Sequence, residues 1–353
     1  MSKPILISGM QPSGKLHIGN YLGALKNFVV LQNSGKYQCY FFIADYHALT
    51  EPFDPSQTPA LMSNYLAAGL DPKKSVLFVQ SEVPYSTELA WILNTITPFS
   101  ELIRMTQFKE KAMFNAKSLS GKIAEEYMPV DGDIENSEVI ERQNKSVLSP
   151  NVGLFTYPTL MASDIILYNA EFVPVGNDQD QHLELTRELV KKFNNKFGKV
   201  FIEPKPVHTS TPRIMSLNDP AKKMSKSSPE GCLFLDDNLE TIKKKISRAV
   251  TDSESEVKLD EDNKPGIANL IRIYHGITNK PIEKIESEFS GKNYGQLKEA
   301  LTNVIAKELE PFRNKNSALS KKSKLAFSAG AKKARKNAEL KMKLIKKAIG
   351  LIK

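Results

Sequence analysis

A chain of 353 residues, 41% of them hydrophobic, has material for two domains and a sizeable buried core. No apolar run approaches a membrane span, and two cysteines, Cys39 and Cys232, exclude a disulfide framework or a Cys-rich metal centre. The net charge of +9 is concentrated: Lys321 to Lys353 holds 11 lysines, Arg335 and a single acid, Glu339, so the rest of the chain is slightly acidic. That points to a polyanion touching the C-terminal end rather than to a generally cationic protein.

Met1-Ser2-Lys3-Pro4 runs straight into the apolar Ile5-Leu6-Ile7, which leaves no room for a signal or transit peptide and gives a cytoplasmic expectation. Ile5–Ile7 reads as a strand, Gly9-Met10-Gln11-Pro12-Ser13-Gly14-Lys15 as a turn, and the stretch from Tyr21 as a helix. A strand, a glycine-rich turn and a helix N-terminus make an anion site, because free N–H groups point outward there. A plain phosphate loop needs Lys-Ser or Lys-Thr after its glycines; this run carries His17 and Asn20 instead, on one face of the new helix.

Strands are expected at 38–45 and 75–80, with helices at 56–70, 89–94 and 101–111. Alternating helices and apolar strands predict an α/β fold, a Rossmann-like parallel sheet covered on both faces. Residues 112–150 break the rhythm: Glu125, Glu126, Asp131, Asp133, Glu135, Glu138 and Glu141 have no Lys or Arg among them. This acidic insertion reads as a surface excursion, without the ligand spacing of a calcium loop. A helix at 160–168, a strand at 172–175, a helix at 178–194 and a strand at 213–217 follow. Beyond about residue 237 strand signals vanish, and helices at 238–250, 266–276, 280–288, 293–314 and 318–350 predict an all-helical domain. The expected division is 1–235 and 236–353, the second ending in a basic helix.

The loop Lys222-Lys223-Met224-Ser225-Lys226-Ser227-Ser228 sets small hydroxyl residues between lysines, long point charges that can follow a moving polyphosphate. Together, His17-Ile18-Gly19-Asn20 and Lys223–Ser227 resemble the HIGH and KMSKS signatures of class I aminoacyl-tRNA synthetases. The stretches 157–165, 173–182, 105–111 and 249–253 narrow the resemblance to the tryptophanyl-tRNA synthetase family, bacterial type. It covers the chain apart from about 30 residues of the acidic span.

That resemblance implies ATP-dependent activation of L-tryptophan to an adenylate, transfer to tRNA(Trp), Mg²⁺ accompanying ATP, and a homodimer whose helical half contacts the anticodon. It implies that His17, Asn20, Lys111, Lys223 and Lys226 serve the phosphates. Ile7, His47, Tyr157, Met161, Asp164, Val173, Val175 and Gln179 would hold tryptophan. Gln11, Ser13, Gly19, Asn20, Gly176, Asp178, Ile214, Lys223, Met224, Ser225 and Lys226 would hold ATP. No protein metal ligands are implied. The chain departs from the family pattern at Ile7, where phenylalanine is common, at Tyr46 for glutamine and at Asn177 for glutamate.

The residues carry a chemical argument of their own. An indole offers a flat apolar body and one N–H donor, so its pocket needs apolar walls and one acceptor. Met161 and Asp164 share a helix face, and Val173 and Val175 share a strand face. A tyrosine-specific relative would pair its aspartate with another polar group at the ring; Met161, Val173 and Val175 favour indole. A non-catalytic RNA-binding paralogue would not need both phosphate motifs.

Overall fold

The computed structural model describes residues 3–106, 108–109, 151–176, 179–208, 213–314 and 317–353. The acidic insertion, Lys111, Asn177 and Asp178 lie outside the described residues. Five strands, β1 (Ile5–Met10), β2 (Gln38–Ile43), β3 (Ser75–Val79), β4 (Phe172–Val175) and β5 (Lys205–His208), form a parallel sheet in the order β3-β2-β1-β4-β5. β1 and β2 pair along all six residues, but β1 and β4 pair only at Leu6 and Phe172. Their C-terminal ends therefore part, and a crevice opens where the strand order reverses, the place where open α/β sheets take ligands.

The chain leaves β1 through the turn at Gly14, whose φ of +96° suits glycine. It enters α1 (Ile18–Asn20), a π-helical turn (Tyr21–Leu25) and α2 (Lys26–Asn33). α3 (Asp45–Ala48) follows β2 directly, α4 (Gln57–Ala67) leads to β3, and α5 (Tyr85–Asn94) and α6 (Phe99–Ile103) follow it. α7 (Val152–Ile166) begins at Asn151, whose side chain accepts from the Leu154 N–H at 2.8 Å. It runs through Pro158, so this helix starts about two turns before the expected 160–168. A capped start and a stretch rich in apolar contacts outweigh the one backbone bond that proline removes. α8 (Asp180–Phe197) ends at Gly198.

The expected strand at 213–217 is not one. Its backbone makes a short antiparallel bridge with the lysine loop, Met215 against Lys223, with Met224 N–H donating to the Ile214 carbonyl at 3.1 Å. The fifth strand is Lys205–His208 instead, largely exposed and containing Pro206, which an edge position tolerates.

The C-terminal part comprises α9 (Leu239–Ser247), α10 (Pro265–Thr278), α11 (Ile282–Glu288), α12 (Tyr294–Glu308), α13 (Glu310–Arg313) and α14 (Ser317–Ala348). α9 and α10 pack against α12. α14 returns to the sheet and lies along β3, α4 and α5. Phe327 joins one core and Ala331, Ala334, Ala338, Met342 and Ile345 the other, so the last helix closes the β3 edge of the sheet. Several of its cations are engaged internally. Arg335 donates to the Glu82 carbonyl at 3.0 and 2.6 Å, and Lys346 pairs with Glu88 at 2.5 Å. Lys341 is buried and donates to the Val200 carbonyl at 2.5 Å and to Asn169. No helix among the described residues is long and apolar enough to cross a membrane.

Candidate functional site

The parted strands open a cavity of about 430 Å³. Ile7 and Gly9 of β1 line it beside Gln11, facing Val173 and Val175 of β4 and Gly176 beyond it. α7 contributes Tyr157, Met161 and Asp164; His47 comes from α3, and Gln179 precedes α8. The eight residues expected around tryptophan thus share one cavity, together with Gln11 and Gly176 from the nucleotide set. The valines reach it because β4 buries alternate residues.

Asp164 is 3% exposed, and a buried carboxylate needs partners. Its Oδ2 receives the Gln80 Nε2 at 2.7 Å and meets the His47 Nε2 at 3.0 Å. With an ionised Asp164 as acceptor, the His47 Nε2 carries the proton. The Tyr157 hydroxyl meets the His182 Nε2 at 2.7 Å, which orients the phenol at the cavity wall. Gln80 and His182 were absent from the sequence expectations. The signal for Gln80 was an amide closing the apolar run Val76–Val79; for His182, it was an imidazole buried on an amphipathic helix. Gly23, Ala24, Asn27 and Phe28 also line the cavity, on the side of the helix that follows the turn.

The two signature motifs meet each other beside this cavity. His17 pairs with Phe234 in an antiparallel bridge, Ile18 N–H donates to the Leu233 carbonyl at 2.8 Å, and Leu235 N–H donates to the Leu16 carbonyl at 3.0 Å. The segment after the lysine loop is therefore fastened to the helix start. Gly14 lies under Lys226, whose Nζ would be 3.3 Å from a Cβ at that position. Ile214 abuts Gly19, and Ile214 and Met224 are buried together there. Ser13 lies in the turn, its N–H donating to the Gln11 carbonyl at 2.9 Å. Ser225 accepts from the Ser227 N–H at 3.3 Å and keeps the lysine loop folded. Lys223 and Lys226 are exposed, and among the described residues neither has a carboxylate partner. Of the expected residues, Lys111 and Asp178 lie outside the described residues.

His17 and Asn20 form a capping box. The His17 Nδ1 accepts from the Gly19 N–H at 3.1 Å, and the Asn20 Oδ1 accepts from the His17 N–H at 3.1 Å. The ring tautomer follows: Nδ1 is an acceptor, so Nε2 carries the hydrogen. Burial, reinforced by Lys223 and Lys226, lowers the His17 pKa to about 4, so the ring is neutral near pH 7. A neutral Nε2–H donor beside two exposed ammonium groups suits an anion with negative charge on several oxygens. Among the described residues no group of three His, Cys, Asp or Glu side chains could hold a metal ion.

Comparison with known proteins agrees with this geometry. A family model described as tRNA synthetases class I (W and Y) matches residues 1–310. The tryptophan–tRNA ligase of Caldanaerobacter subterraneus subsp. tengcongensis is 44% identical over 355 residues, covering 98% of each chain. Among solved structures, tryptophanyl-tRNA synthetase from Mycoplasma pneumoniae is 34% identical, with a TM-score of 0.78 and 98% of each chain covered. The enzyme from Campylobacter jejuni, complexed with ADP and tryptophan, is 33% identical at a TM-score of 0.75, covering 98% of this chain and 99% of its own. The chain belongs to the class I tRNA synthetases of the W and Y family.

Proposed function

We propose that this class I synthetase is a tryptophan–tRNA ligase, activating L-tryptophan with ATP and transferring it to tRNA(Trp). The observation that carries the reading is Asp164, an anchored carboxylate among the apolar walls of Ile7, Met161, Val173 and Val175. A carboxylate set among these apolar walls matches an indole N–H, and an unpaired buried acceptor discriminates strongly against a ring lacking that donor. The near-full-length relatives named for the same activity support it.

The tryptophan carboxylate attacks the α-phosphorus of ATP, giving tryptophanyl-adenylate and pyrophosphate; a hydroxyl of the terminal tRNA adenosine then takes the acyl group and AMP leaves. Neither step needs a protein nucleophile, so the chain contributes positioning and charge stabilisation. Tyr157 and Gln179 hold the ammonium and carboxylate of the amino acid. Gly19, Gly176, Asp178, Ile214 and Met224 cradle the adenosine. His17 donates Nε2–H to the α-phosphate region and Asn20 offers its amide N–H₂, its carbonyl oxygen being used by the cap. Gln11, Ser13, Lys111, Lys223, Ser225 and Lys226 serve the departing pyrophosphate. Mg²⁺ accompanies ATP as part of the Mg·ATP substrate.

The helical part from residue 236 carries the anticodon contacts, and the enzyme works as a cytoplasmic homodimer. The dimer reading is supported by Trp91, Phe99 and Val152, which are 70%, 64% and 76% exposed. Trp91 and Leu49 flank a groove backed by Tyr157, so a second subunit there would lie against the wall of the cavity. A monomer in sedimentation would remove that element.

ATP–pyrophosphate exchange with tryptophan and tyrosine side by side tests the whole reading. Exchange with tryptophan alone is expected. Exchange with tyrosine overturns the specificity, and exchange with neither leaves a binding module.

A further inference from the structure

Asp164 is held from behind by a residue that belongs to no signature. Gln80 follows the last residue of β3 and is 0% exposed. Its Oε1 accepts from the Tyr46 backbone N–H at 3.2 Å. A side-chain amide has one acceptor end and one donor end, so this bond turns the Nε2 toward Asp164, where it donates to Oδ2 at 2.7 Å. His47, the residue after Tyr46 in α3, meets the same oxygen at 3.0 Å. The two donors are thus indexed to one another: one is bonded to the backbone of α3, and the other is carried by it.

Both contacts fall on Oδ2. Among the described residues Oδ1 has no partner, and Asp164 lines the cavity. Rotating the carboxylate would break two hydrogen bonds in a buried site, so the direction of Oδ1 is fixed. Gln80 does this without charge. A lysine or arginine at the same place would neutralise the carboxylate and weaken it as an acceptor, whereas an amide leaves the negative charge for the ligand.

We infer that Gln80 is the positioning residue for side-chain recognition: it pins Oδ2 of Asp164 so that Oδ1 alone reads the ring N–H of the amino acid. The inference rests on the tryptophan reading above and deepens it. It differs from a simple packing role for Gln80 in one measurable respect. A packing defect weakens every substrate alike; a loss of positioning weakens only substrates that use the N–H.

The test compares ATP–pyrophosphate exchange with L-tryptophan and with benzothienyl-alanine, in which sulfur replaces the ring N–H. Gln80→Met and Gln80→Leu each remove both hydrogen bonds without adding a charge beside Asp164. In both variants the preference in kcat/KM for tryptophan over the isostere is expected to fall roughly ten- to a hundredfold, the range of a lost bond to a charged group, and to fall through KM rather than kcat. On an Asp164→Asn background, Gln80→Met should reduce the preference no further. An unchanged preference, or an additional loss on Asp164→Asn, overturns the positioning role. Wild-type enzyme without tryptophan-dependent exchange overturns the parent reading and this one together, whereas wild-type exchange with a preserved preference in the variants overturns this one alone. Because a general loss of folded protein lowers both substrates equally, the ratio stays readable even where a variant is less stable.

Discussion

Gly330 offers a sign test for the docking of the last helix. A Cβ added there would lie 1.9 Å from the Leu77 carbonyl oxygen, 2.8 Å from its carbon and 2.9 Å from its nitrogen. Carbon–oxygen contacts settle at roughly 3.3–3.6 Å, so Gly330→Ala requires β3 and α14 to part by about 1.5 Å. The obstacle is strand backbone, which cannot swing aside as a side chain can. Parting the two elements also lifts Phe327, Ala331 and Ala334 from the sheet. Overpacking of this kind costs on the order of 1–3 kcal/mol. Acting the other way, alanine is a better helix former than glycine by about 1 kcal/mol. The net expectation is a loss of up to about 2 kcal/mol, which in a chain of this size lowers the thermal midpoint by up to roughly 3 °C. Thermal and urea unfolding of wild type, Gly330→Ala and Gly330→Val measure it, with valine worse than alanine. If α14 did not lie on β3, position 330 would be an ordinary helix site and alanine would stabilise. A rise in the midpoint for Gly330→Ala therefore refutes the packing.

Three further expectations concern the site and the basic end. Lys226→Ala should lower the rate of tryptophan- and ATP-dependent adenylate formation far more than the affinity for tryptophan, because Lys226 lies over the turn at Gly14 and outside the cavity; equal losses in both would contradict a role on the departing phosphates. With its pKa at about 4, His17 binds no proton in the folded enzyme near neutrality, while the unfolded chain protonates this residue near 6.5. Its contribution to stability should thus be complete above about pH 6.5 and decline as pH falls toward 4, because the unfolded state binds more protons in that window. His17→Asn should flatten that part of the stability profile, and a profile unchanged by the substitution would show that the ring takes up its proton in the fold as readily as in the unfolded chain. Finally, Lys332, Lys333 and Lys336 are exposed on α14, whereas Arg335 is tied to Glu82. Replacing the three lysines with glutamine should weaken tRNA binding and reduce its salt dependence by up to about three counter-ions. A salt slope equal to that of wild type would assign the tRNA contacts to another surface.

What the sequence made legible was what short spans of chain encode. The apolar runs at 38–43 and 75–79 and the strand at 172–175 stand out because each is read from its own few residues. The cavity residues were legible for a related reason, since the i, i+3 and alternating spacings that put Met161 beside Asp164 and Val173 beside Val175 are local. β5 was not legible. Lys205-Pro206-Val207-His208 lies at an exposed sheet edge, where no burial pattern marks a strand and proline argues against one. The lysine loop and the 213–217 segment form a bridge rather than a sheet strand, a difference decided by a partner distant in sequence.

The last helix shows the same limit most clearly. Its cations suggest a solvated, polyanion-facing element, and that is the reading that net charge invites. Yet small residues at 330, 331, 334 and 338 mark the face that lies on β3, and burial of the ammonium lowers the pKa of Lys341 to about 8. Charge dominates the composition because long side chains point outward in number, while on the docking face Phe327, Met342 and Ile345 are spaced out by glycine and alanines too small to register as a hydrophobic stripe. Gln80 is the counterpart inside the site. A single buried amide has no periodicity, and its meaning depends on where Tyr46, His47 and Asp164 fall in space. Signatures such as His17–Asn20 and Lys223–Ser227 name the groups proposed to meet the phosphates. The residues that aim those groups are set by tertiary neighbours, and only the folded arrangement identifies them.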